Sequence, residues 1–252
     1  MMKHLPEIVA SLVRAKEIAI FSGAGLSADS GIPTFRDGAT GLWNNVDPDE
    51  VASVDGFERN PRVVWQWLRQ LKKLVDDRQP NPGHLAIARL QALCAGQRLS
   101  VITQNIDGYH GSAGNDPVLE IHGTIHRVRC HQHCGFTAVW EQSADEPYAC
   151  PACGAPVRPD VVLFGEALNE RVFSAAGTRS AEADVFFCVG TSFTVQPAAQ
   201  LPMWAKSFGA TVVEVNPHPT PFSQIADFSV RSGASEFFSA LCEALEKRAQ
   251  RW

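Results

Sequence analysis

A short apolar segment that runs directly into a glycine loop is the feature that most constrains what this chain can fold into. Residues 17–22 (EIAIFS) have the composition of a buried strand, and Gly23-Ala24-Gly25 follows at once. A strand that ends in such a loop is typical of nucleotide-binding α/β sheets, because glycines allow a tight turn and let the backbone approach a pyrophosphate. Gly23, Gly25 and Ala28 match the loose dinucleotide pattern G-x-G-x-x-G/A, which taken alone fits a structural turn equally well.

The residues after this loop differ from those of an ordinary dehydrogenase. Residues 29–41 contain Pro33 and three glycines, so they cannot sustain a long helix, and at most one short turn is expected before an extended loop. A loop of this length beside a nucleotide site predicts a cover over the ligand. Phe35 could shield a reactive sugar carbon from water, and Arg36 could reach phosphate or ribose oxygens. The simpler alternative for Arg36 is a surface salt bridge.

The remaining apolar segments predict an alternation of strands and helices. Strands are expected at residues 99–103, 158–165, 184–190 and 210–215, and helices at 5–15, 61–77, 83–96 and 236–250. This alternation predicts an α/β fold with a doubly wound, Rossmann-like parallel sheet. Residues 127–157 lack periodicity and contain four cysteines and three prolines, which indicates a small inserted module. We therefore expect a nucleotide-binding domain of residues 1–126 and 158–252, a module of residues 127–157, and a ligand cleft between them.

Four of the seven cysteines cluster within the predicted module: Cys130, Cys134, Cys150 and Cys153. The odd total and the clustering favour a metal site over disulfides. Four thiolates at this spacing predict tetrahedral zinc without an open coordination position, and hence a structural role.

The first half of this metal site has an unusual spacing, because three residues rather than two separate its cysteines. His131 and His133 lie between them, so a histidine could replace one of the thiolates. A Cys-Gly pair occurs at both Cys134-Gly135 and Cys153-Gly154, which favours Cys134 as the ligand.

Composition excludes some classes of function. The chain has 22 basic and 27 acidic residues, a formal net charge of -5, and therefore lacks the basic excess of a typical nucleic-acid-binding protein. No apolar run approaches the roughly 20 residues that a membrane helix needs, and charges interrupt the apolar positions at the N-terminus. We expect a cytoplasmic protein that binds neither nucleic acid nor membrane. No segment indicates a subunit interface, so a monomer is expected.

Several short motifs occur in an order that resembles the sirtuin family. They are GAGLSADSGIPTFRD at residues 23–37 with Gly41-Leu42-Trp43, QNID at 104–107, IHG at 121–123, FGE at 164–166, GTS at 190–192, VNP at 215–217 and Gly233-Ala234. The third motif precedes the cysteine cluster, as it does in that family. The resemblance extends from residue 18 to about residue 241.

The resemblance implies an NAD-dependent protein lysine deacylase that acts on acyl-lysine proteins or peptides. In sirtuins the acyl oxygen attacks the anomeric carbon of the nicotinamide ribose, nicotinamide leaves, and a ribose hydroxyl then takes the acyl group. His122 matches the catalytic base of this reaction, and histidine suits that role because its ordinary pKa lies near neutral pH. Asn105 matches the catalytic residue that orients the ribose, and Asp107 matches the residue that binds the nicotinamide carboxamide.

The resemblance also implies the residues that bind the two substrates. Those expected to bind NAD are Gly23, Ala24, Gly25, Ser27, Ile32, Pro33, Thr34, Phe35, Arg36, Trp43, Gln104, Asn105, Ile106, Asp107, Gly190, Thr191, Ser192, Asn216 and Ala234. Two chain edges are expected to bind the backbone of an extended peptide by β-augmentation, which tolerates many sequences. They comprise Val162, Phe164, Gly165 and Glu166 on one side and Val195 on the other.

The acyl preference is predicted from one helix. Some sirtuins that remove succinyl groups carry a Tyr-x-x-Arg pair there, in which the arginine binds the carboxylate. An ungapped placement puts Leu68 and Leu71 at these two positions, with Arg69 out of register. We therefore expect neutral acyl groups, acetyl or longer aliphatic chains, to be preferred over succinyl. The alternative is that both leucines simply pack in the core.

Three other functions remain open at this point. The first is mono-ADP-ribosyl transfer from the same NAD site. The second is a nicotinamide dehydrogenase, against which the proline-containing loop and the cysteine module argue. The third is a non-catalytic NAD-binding or zinc-binding module, which would leave Asn105, Asp107 and His122 without a role.

Overall fold

The central element is a parallel sheet that begins with the strand preceding the glycine loop. The computed structural model describes residues 3–34, 46–141 and 147–250. Within these residues the strands are β1 (Glu17–Ser22), β2 (Arg98–Thr103), β3 (Val118–Glu120), β4 (Gly123–Cys130), β5 (Thr137–Val139), β6 (Val157–Val161), β7 (Val185–Val189), β8 (Thr211–Val215) and β9 (Phe228–Val230). Six of them form one sheet in the order β3-β2-β1-β7-β8-β9, and all of its pairings are parallel.

The strand order confirms the predicted doubly wound topology. From β1 the chain adds β2 and β3 on one side and later β7, β8 and β9 on the other. The order reverses between β1 and β7, and in such sheets ligands bind outside the carboxyl ends of the strands at that switch point. A nucleotide site is therefore expected in the loops after β1, β2 and β7.

Nine α-helices lie within the described residues. They are α1 (Leu5–Arg14), α2 (Pro48–Val51), α3 (Val54–Arg59), α4 (Pro61–Asp76), α5 (Pro82–Leu93), α6 (Tyr109–Ser112), α7 (Glu170–Glu182), α8 (Leu201–Ser207) and α9 (Ala234–Ala249). Local sequence explains where the main ones begin. Pro61 and Pro82 occupy first helical positions, where proline has no hydrogen bond to lose, and the Asn81 side chain caps α5 by accepting from Gly83 N at 2.9 Å.

Alternating side chains of the sheet bury two separate cores. Ile20 of β1 packs with Ile8, Leu90 and Phe237 against α1, α5 and α9. The next residue of β1, Phe21, lies on the other face of the sheet, against α7 and α8. Apolar layers on both faces explain why the strands read as nearly continuous apolar runs in the sequence.

A smaller sheet of three antiparallel strands, in the order β5-β4-β6, lies between residues 123 and 161. It shares a third apolar core with α4, in which Trp65 packs with Val128 and Trp140. The Trp65 Nε1–H donates to the Val157 carbonyl at 3.1 Å. The predicted boundaries of the inserted module, residues 127 and 157, thus fall inside this sheet; the division into domains stays a prediction.

The glycine loop contains the 3-10 turn Ala24–Leu26, and one further short turn, Ala28–Ser30, leads into the residues that follow. Several local predictions need correction. The predicted strand at residues 158–165 ends at Val161, and the helix predicted to end at Gly96 ends at Leu93. Helix α7 was not predicted, because it buries only Ala176 and Ser180 and so lacks a broad apolar stripe.

Candidate active site

The loops after β1 and β7 pack backbone against backbone, and this contact requires glycine. Gly23 N donates to Val189 O at 2.9 Å and Gly25 N donates to Gly190 O at 2.8 Å. A Cβ atom on Gly25 would lie 2.8 Å from Gly190 Cα. One on Gly190 would lie 2.5 Å from Leu26 N, and Gly190 also has a φ of +57°, in the left-handed region. The glycine pattern in the sequence therefore reflects a close approach of two strand ends at the switch point.

Side chains from β2 and β8 join this contact. Gln104 Nε2 donates to Thr191 Oγ1 at 2.9 Å, which links the end of β2 to the loop after β7. Asn216 Nδ2 donates to Thr191 O at 3.1 Å, and Asn216 Oδ1 accepts from His218 N at 3.1 Å. Both ends of the Asn216 amide are thus bonded within the protein, so this residue braces the loop after β7.

Three buried polar residues form a connected group beside Gly23: Ser27, Asn105 and Asp107. Asn105 Nδ2 donates to Gly23 O at 3.1 Å and to Ser27 Oγ at 3.0 Å, and Ser27 Oγ donates to Asp107 Oδ2 at 2.6 Å. Asp107 Oδ1 accepts from Tyr109 N at 2.9 Å. Asn105 Oδ1 accepts no hydrogen bond from the described residues. The structure thus joins residues that the sequence separates by about eighty positions.

His122 has a defined tautomer. Its Nδ1 lies 3.0 Å from the Gln104 carbonyl oxygen, which can only accept, so Nδ1 carries the proton and Nε2 is left as an acceptor. Burial lowers the pKa of His122 below its ordinary value, and the bond to Gln104 offsets this only in part. The ring is therefore neutral at neutral pH and can take a proton on Nε2.

The predicted peptide edge is connected to His122 through the backbone. Val162 N donates to His122 O at 2.9 Å. Residues 163–166 then form a turn in which Glu166 N donates to Leu163 O at 3.0 Å, and Gly165 has a φ of +84°. Phe164 N donates to Ala52 O at 2.8 Å, and Phe164 O accepts from Val54 N at 3.0 Å. The Phe164 backbone is thus paired with residues 52–54, although 43% of its side chain surface is exposed.

The predicted opposite edge lies in the loop after β7. Val195 is 38% exposed, and its carbonyl accepts from Ala199 N at 3.0 Å. Ser192 Oγ and Thr194 Oγ1 lie 2.7 Å apart, and the Phe193 ring stacks on Phe222 with centroids 4.6 Å apart.

The remaining predicted residues lie around this centre. Ala234 is the first residue of α9, and the neighbouring Ser235 Oγ donates to Asp29 Oδ2 at 2.8 Å, which connects α9 to the glycine loop. Ile32 and Ile106 are partly buried against the core of α4 and the small sheet. Pro33 and Thr34 follow without regular structure. Phe35, Arg36 and Trp43 lie outside the described residues, so their roles stay predictions.

The four clustered cysteines form a compact group of metal-ligating atoms. Their sulfurs all lie within 4.8 Å of one another, and two of the pairs, Cys130–Cys153 and Cys134–Cys150, are separated by 3.4 and 3.6 Å. Tetrahedral zinc, with Zn–S bonds of about 2.3 Å, would place its sulfurs about 3.8 Å apart. The predicted four-cysteine set is therefore confirmed as a group, and its donors fit structural zinc.

The two neighbouring histidines do not enter this set. His133 Nδ1 lies 2.9 Å from Arg129 Nη1, and Arg158 Nε lies 3.3 Å from His131 Nδ1. Both rings contact arginines, and neither belongs to the group of ligating atoms that the four sulfurs form, so the structure favours the four-cysteine set.

Sequence reasoning missed two buried charged groups next to the site. Glu214 of β8 is fully buried and bound by Ser223, Ser229, Thr220 and Arg231. Arg158 of β6 is 1% exposed and binds Glu166. A charged residue among valines in β8 is the available signal for Glu214, whereas β6 (VRPDV) contains two charged residues and gives no such signal for Arg158.

Comparison with known proteins agrees with this geometry. The family model described as "Sir2 family" matches residues 23–197. The NAD-dependent protein deacylases of Aeropyrum pernix and Thermus thermophilus are each 43% identical to the chain, the first over 93% of this chain and 94% of the relative, the second over 95% and 94%.

Solved structures give the same result. A Sir2 homologue in complex with NAD has a TM-score of 0.88 at 38% identity, with 96% of this chain and 94% of that chain covered. A Sir2 protein with a deacetylated p53 peptide and 3'-O-acetyl ADP-ribose has a TM-score of 0.85 at 28% identity, with 95% and 98% covered. Among the described residues, no helix is long and apolar enough to span a membrane. With its motifs, sheet topology and thiol cluster in place, the chain belongs to the Sir2 family.

Proposed function

We propose that this chain is an NAD-dependent protein lysine deacylase that transfers the acyl group of a modified lysine to ADP-ribose and releases nicotinamide. The observation that carries the proposal is the placement of His122. Its Nδ1 is tied to the Gln104 carbonyl, next to Asn105, and its own carbonyl is tied to Val162 on the predicted peptide edge. The relatives described as NAD-dependent protein deacylases and the Sir2 homologue bound to NAD support it.

NAD enters as the co-substrate, and it supplies the ribose carbon that the acyl oxygen attacks as the bond to nicotinamide breaks. Asn105 Oδ1, which accepts from none of the described residues, can accept from a ribose hydroxyl while Nδ2 stays bonded to Gly23 and Ser27. Asp107, held by Ser27 and the Tyr109 N–H, can accept from the nicotinamide carboxamide. The Asn105 amide does not compete for the proton that the base must take.

His122 performs the proton transfer in the second half of the reaction. Its Nε2 takes the proton of a ribose hydroxyl, and the hydroxyl oxygen attacks the imidate carbon that formed when the acyl oxygen bonded to the ribose. The lysine amine leaves from that carbon with a proton, and a water molecule then adds to it, so that the original acyl oxygen becomes the anomeric hydroxyl. The products are free lysine and O-acyl-ADP-ribose. The neutral form of His122 is the reactive one, and the lowered pKa maintains it at physiological pH.

Zinc would have no part in these steps. The four thiolates of Cys130, Cys134, Cys150 and Cys153 would hold it and would leave no position for substrate or water. Its contribution would be to hold the ends of β4 and β6 together.

The acyl group that we propose is neutral. Leu68 and Leu71, at the positions of the acid-binding Tyr-x-x-Arg pair, are 2% and 8% exposed and pack in the core shared with Leu163. Neither side chain can pair with a carboxylate. Hydrolysis rates for acetyl-, decanoyl- and succinyl-lysine peptides of one sequence test this directly. Efficient removal of succinyl would overturn it.

The reaction type is tested by incubating an acetyl-lysine peptide with NAD that is labelled in its ADP-ribose part and identifying the labelled products. Deacylation places the label in O-acetyl-ADP-ribose in amounts equal to the nicotinamide released. Label on the protein or peptide would indicate mono-ADP-ribosyl transfer instead, and formation of NADH would indicate a dehydrogenase. Either outcome contradicts the proposal.

A further inference from the structure

The turn at residues 163–166 is closed by the side chain of its own last residue. Glu166 Oε2 accepts from Leu163 N at 3.1 Å, and Glu166 N donates to Leu163 O at 3.0 Å. Glu166 thus binds both backbone groups of Leu163. This turn follows Val162, which is bonded to the backbone of His122, so its shape sets part of the predicted peptide edge.

Two guanidinium groups hold the Glu166 carboxylate in place. Arg158 Nη2 lies 2.6 Å from both Glu166 oxygens, and Arg129 Nη2 also binds Oε1. The side chains of Arg158, Arg129 and Glu166 are only 2%, 13% and 10% exposed. Charge-assisted bonds are strong and directional in such surroundings, so the carboxylate has one well-defined position.

Arg158 also binds the strand that leads into the turn. Its Nη1 donates to Val161 O at 2.7 Å, while its Nη2 holds Glu166. One side chain therefore spans the segment from the end of β6 to the end of the turn. Arg129 reaches the same carboxylate from β4, where it is the direct partner of Arg158 across the strand pair.

A second carboxylate adjoins this cluster. Arg129 Nε lies 3.3 Å from Asp160 Oδ1, and Arg127 Nη2 lies 3.0 Å from Asp160 Oδ2, so both carboxylates are paired with guanidinium groups. Burial by itself would raise the pKa of Glu166, but Arg158, the Leu163 N–H and Arg129 outweigh it and hold the pKa below its ordinary value. Glu166 is consequently ionised at neutral pH.

We infer that Arg158, Arg129 and Glu166 are positioning residues that hold residues 162–166 in the shape that receives the backbone of the acyl-lysine peptide. They act through the main chain of the edge and touch neither NAD nor the reacting atoms. A buried ion pair generally contributes less to stability than well-packed apolar residues of the same size, whereas it fixes geometry closely. The inference rests on the proposed function, because it assigns these residues to the peptide side of that site.

Steady-state kinetics on an acetyl-lysine peptide separate positioning from simple stability. Glu166→Gln removes the charge at constant size and should raise the peptide KM by roughly tenfold, whereas the KM for NAD stays within about twofold. Arg127→Gln is the matched control. Arg127 also lies on β4 and pairs with Asp160 at 3.0 Å, but it has no contact with the turn. Its peptide KM should equal that of the wild type.

A double variant distinguishes a loss of positioning from a loss of stability. Replacing the pair by apolar residues, Arg158→Met with Glu166→Leu, should leave the peptide KM raised, since no side chain then binds the Leu163 N–H. The Tm should stay near that of the wild type, because Arg129 keeps Asp160 as its partner. A purely structural pair predicts the opposite, with recovery of the peptide KM together with the Tm. Recovery, or a KM for NAD that rises in parallel in Glu166→Gln, would overturn the inference.

A direct binding measurement separates a failure of this inference from a failure of the proposed function. The anisotropy of a fluorescein-labelled acetyl-lysine peptide gives its Kd for the wild type, Glu166→Gln and Arg127→Gln. We expect the Kd of Glu166→Gln alone to rise. If the wild type binds the peptide but forms no O-acetyl-ADP-ribose, the proposed function fails and the Kd comparison still decides the inference. Equal Kd values, or no binding to the wild type, overturn the inference.

Discussion

The two regions that meet at the site are held together by different physical means. At the carboxyl edge of the parallel sheet, backbone packs on backbone at Gly25 and Gly190 above a core that is buried on both faces. The small antiparallel sheet shares an apolar core with α4 and is held in addition by four thiols and by the ion pairs of Arg129 and Arg158. Three strands bury less apolar surface than a six-stranded sheet covered on both faces, so side-chain chemistry adds to the packing.

This difference assigns separate roles to the two regions. The parallel sheet presents the residues predicted to bind NAD, whose pyrophosphate requires a close and rigid backbone. The small sheet presents Val162 and the turn that follows, which are the residues predicted to bind the peptide. Perturbations of one region should therefore leave the other largely intact.

The largest effect is expected from removing a thiol. Cys153→Ser removes one of the four thiolates and should abolish stoichiometric zinc binding. The structural effect should be large, since structural zinc contributes roughly 10 kcal/mol or more to the fold that it holds. Hydrogen exchange should then show lost protection in β4 and β6, with β1 and β7 still protected. Cys94→Ala, which alters an isolated cysteine outside the cluster, is the control and should retain zinc. Equal loss of protection in both sheets would contradict the separation.

A second perturbation acts on the parallel sheet. Gly190→Ala forces a Cβ to within 2.5 Å of Leu26 N and should raise the KM for NAD at least tenfold while the peptide Kd changes little. Gly209→Ala is a matched control, because Gly209 also has a positive φ, +95°, but has nothing within 4 Å of its would-be Cβ. Both variants should lose about 1–3 kcal/mol from backbone strain. A KM for NAD that rises equally in both would show that the close approach is not what matters.

A smaller effect is expected in the pH dependence of kcat/KM, and it tests the assignment of His122 as the base. Burial lowers the pKa of His122, and the neutral ring is the reactive form. The kcat/KM for the peptide should therefore remain high as the pH falls to 6.5 and decline only below that value, as protonation removes the base. If the fall of kcat/KM at acid pH were centred at or above pH 6.5, the His122 ring would not be in the buried state, bonded to the Gln104 carbonyl, that the structure shows.

The comparison also explains what the sequence could and could not predict. The central strands were predicted because burial on both faces gives nearly continuous apolar runs, as at residues 17–22 and 184–190. The edge strands β3 and β9 were missed, since each has only three residues. The thiol cluster was predicted in full because its ligands are close in the chain and have a distinctive chemistry.

Contacts between residues that are distant in the chain could not be predicted from local sequence patterns. Nothing near Phe164 indicates that its backbone pairs with residues 52–54, and nothing near Glu166 points to Arg129 on another strand. The tautomer of His122 is a similar case, because it depends on a carbonyl eighteen residues away. Motif order identified which residues matter, whereas the contacts that orient them came only from the fold.

The central claim is that His122 is the base that delivers the acyl group to ADP-ribose. Formation of O-acetyl-ADP-ribose by His122→Ala, compared with the wild type and with His4→Ala at the start of α1, tests it most directly. We expect a fall of about 10²–10⁴-fold for His122→Ala alone, with the Kd for NAD essentially unchanged. A folded His122→Ala protein that forms the product at nearly the wild-type rate would contradict the account.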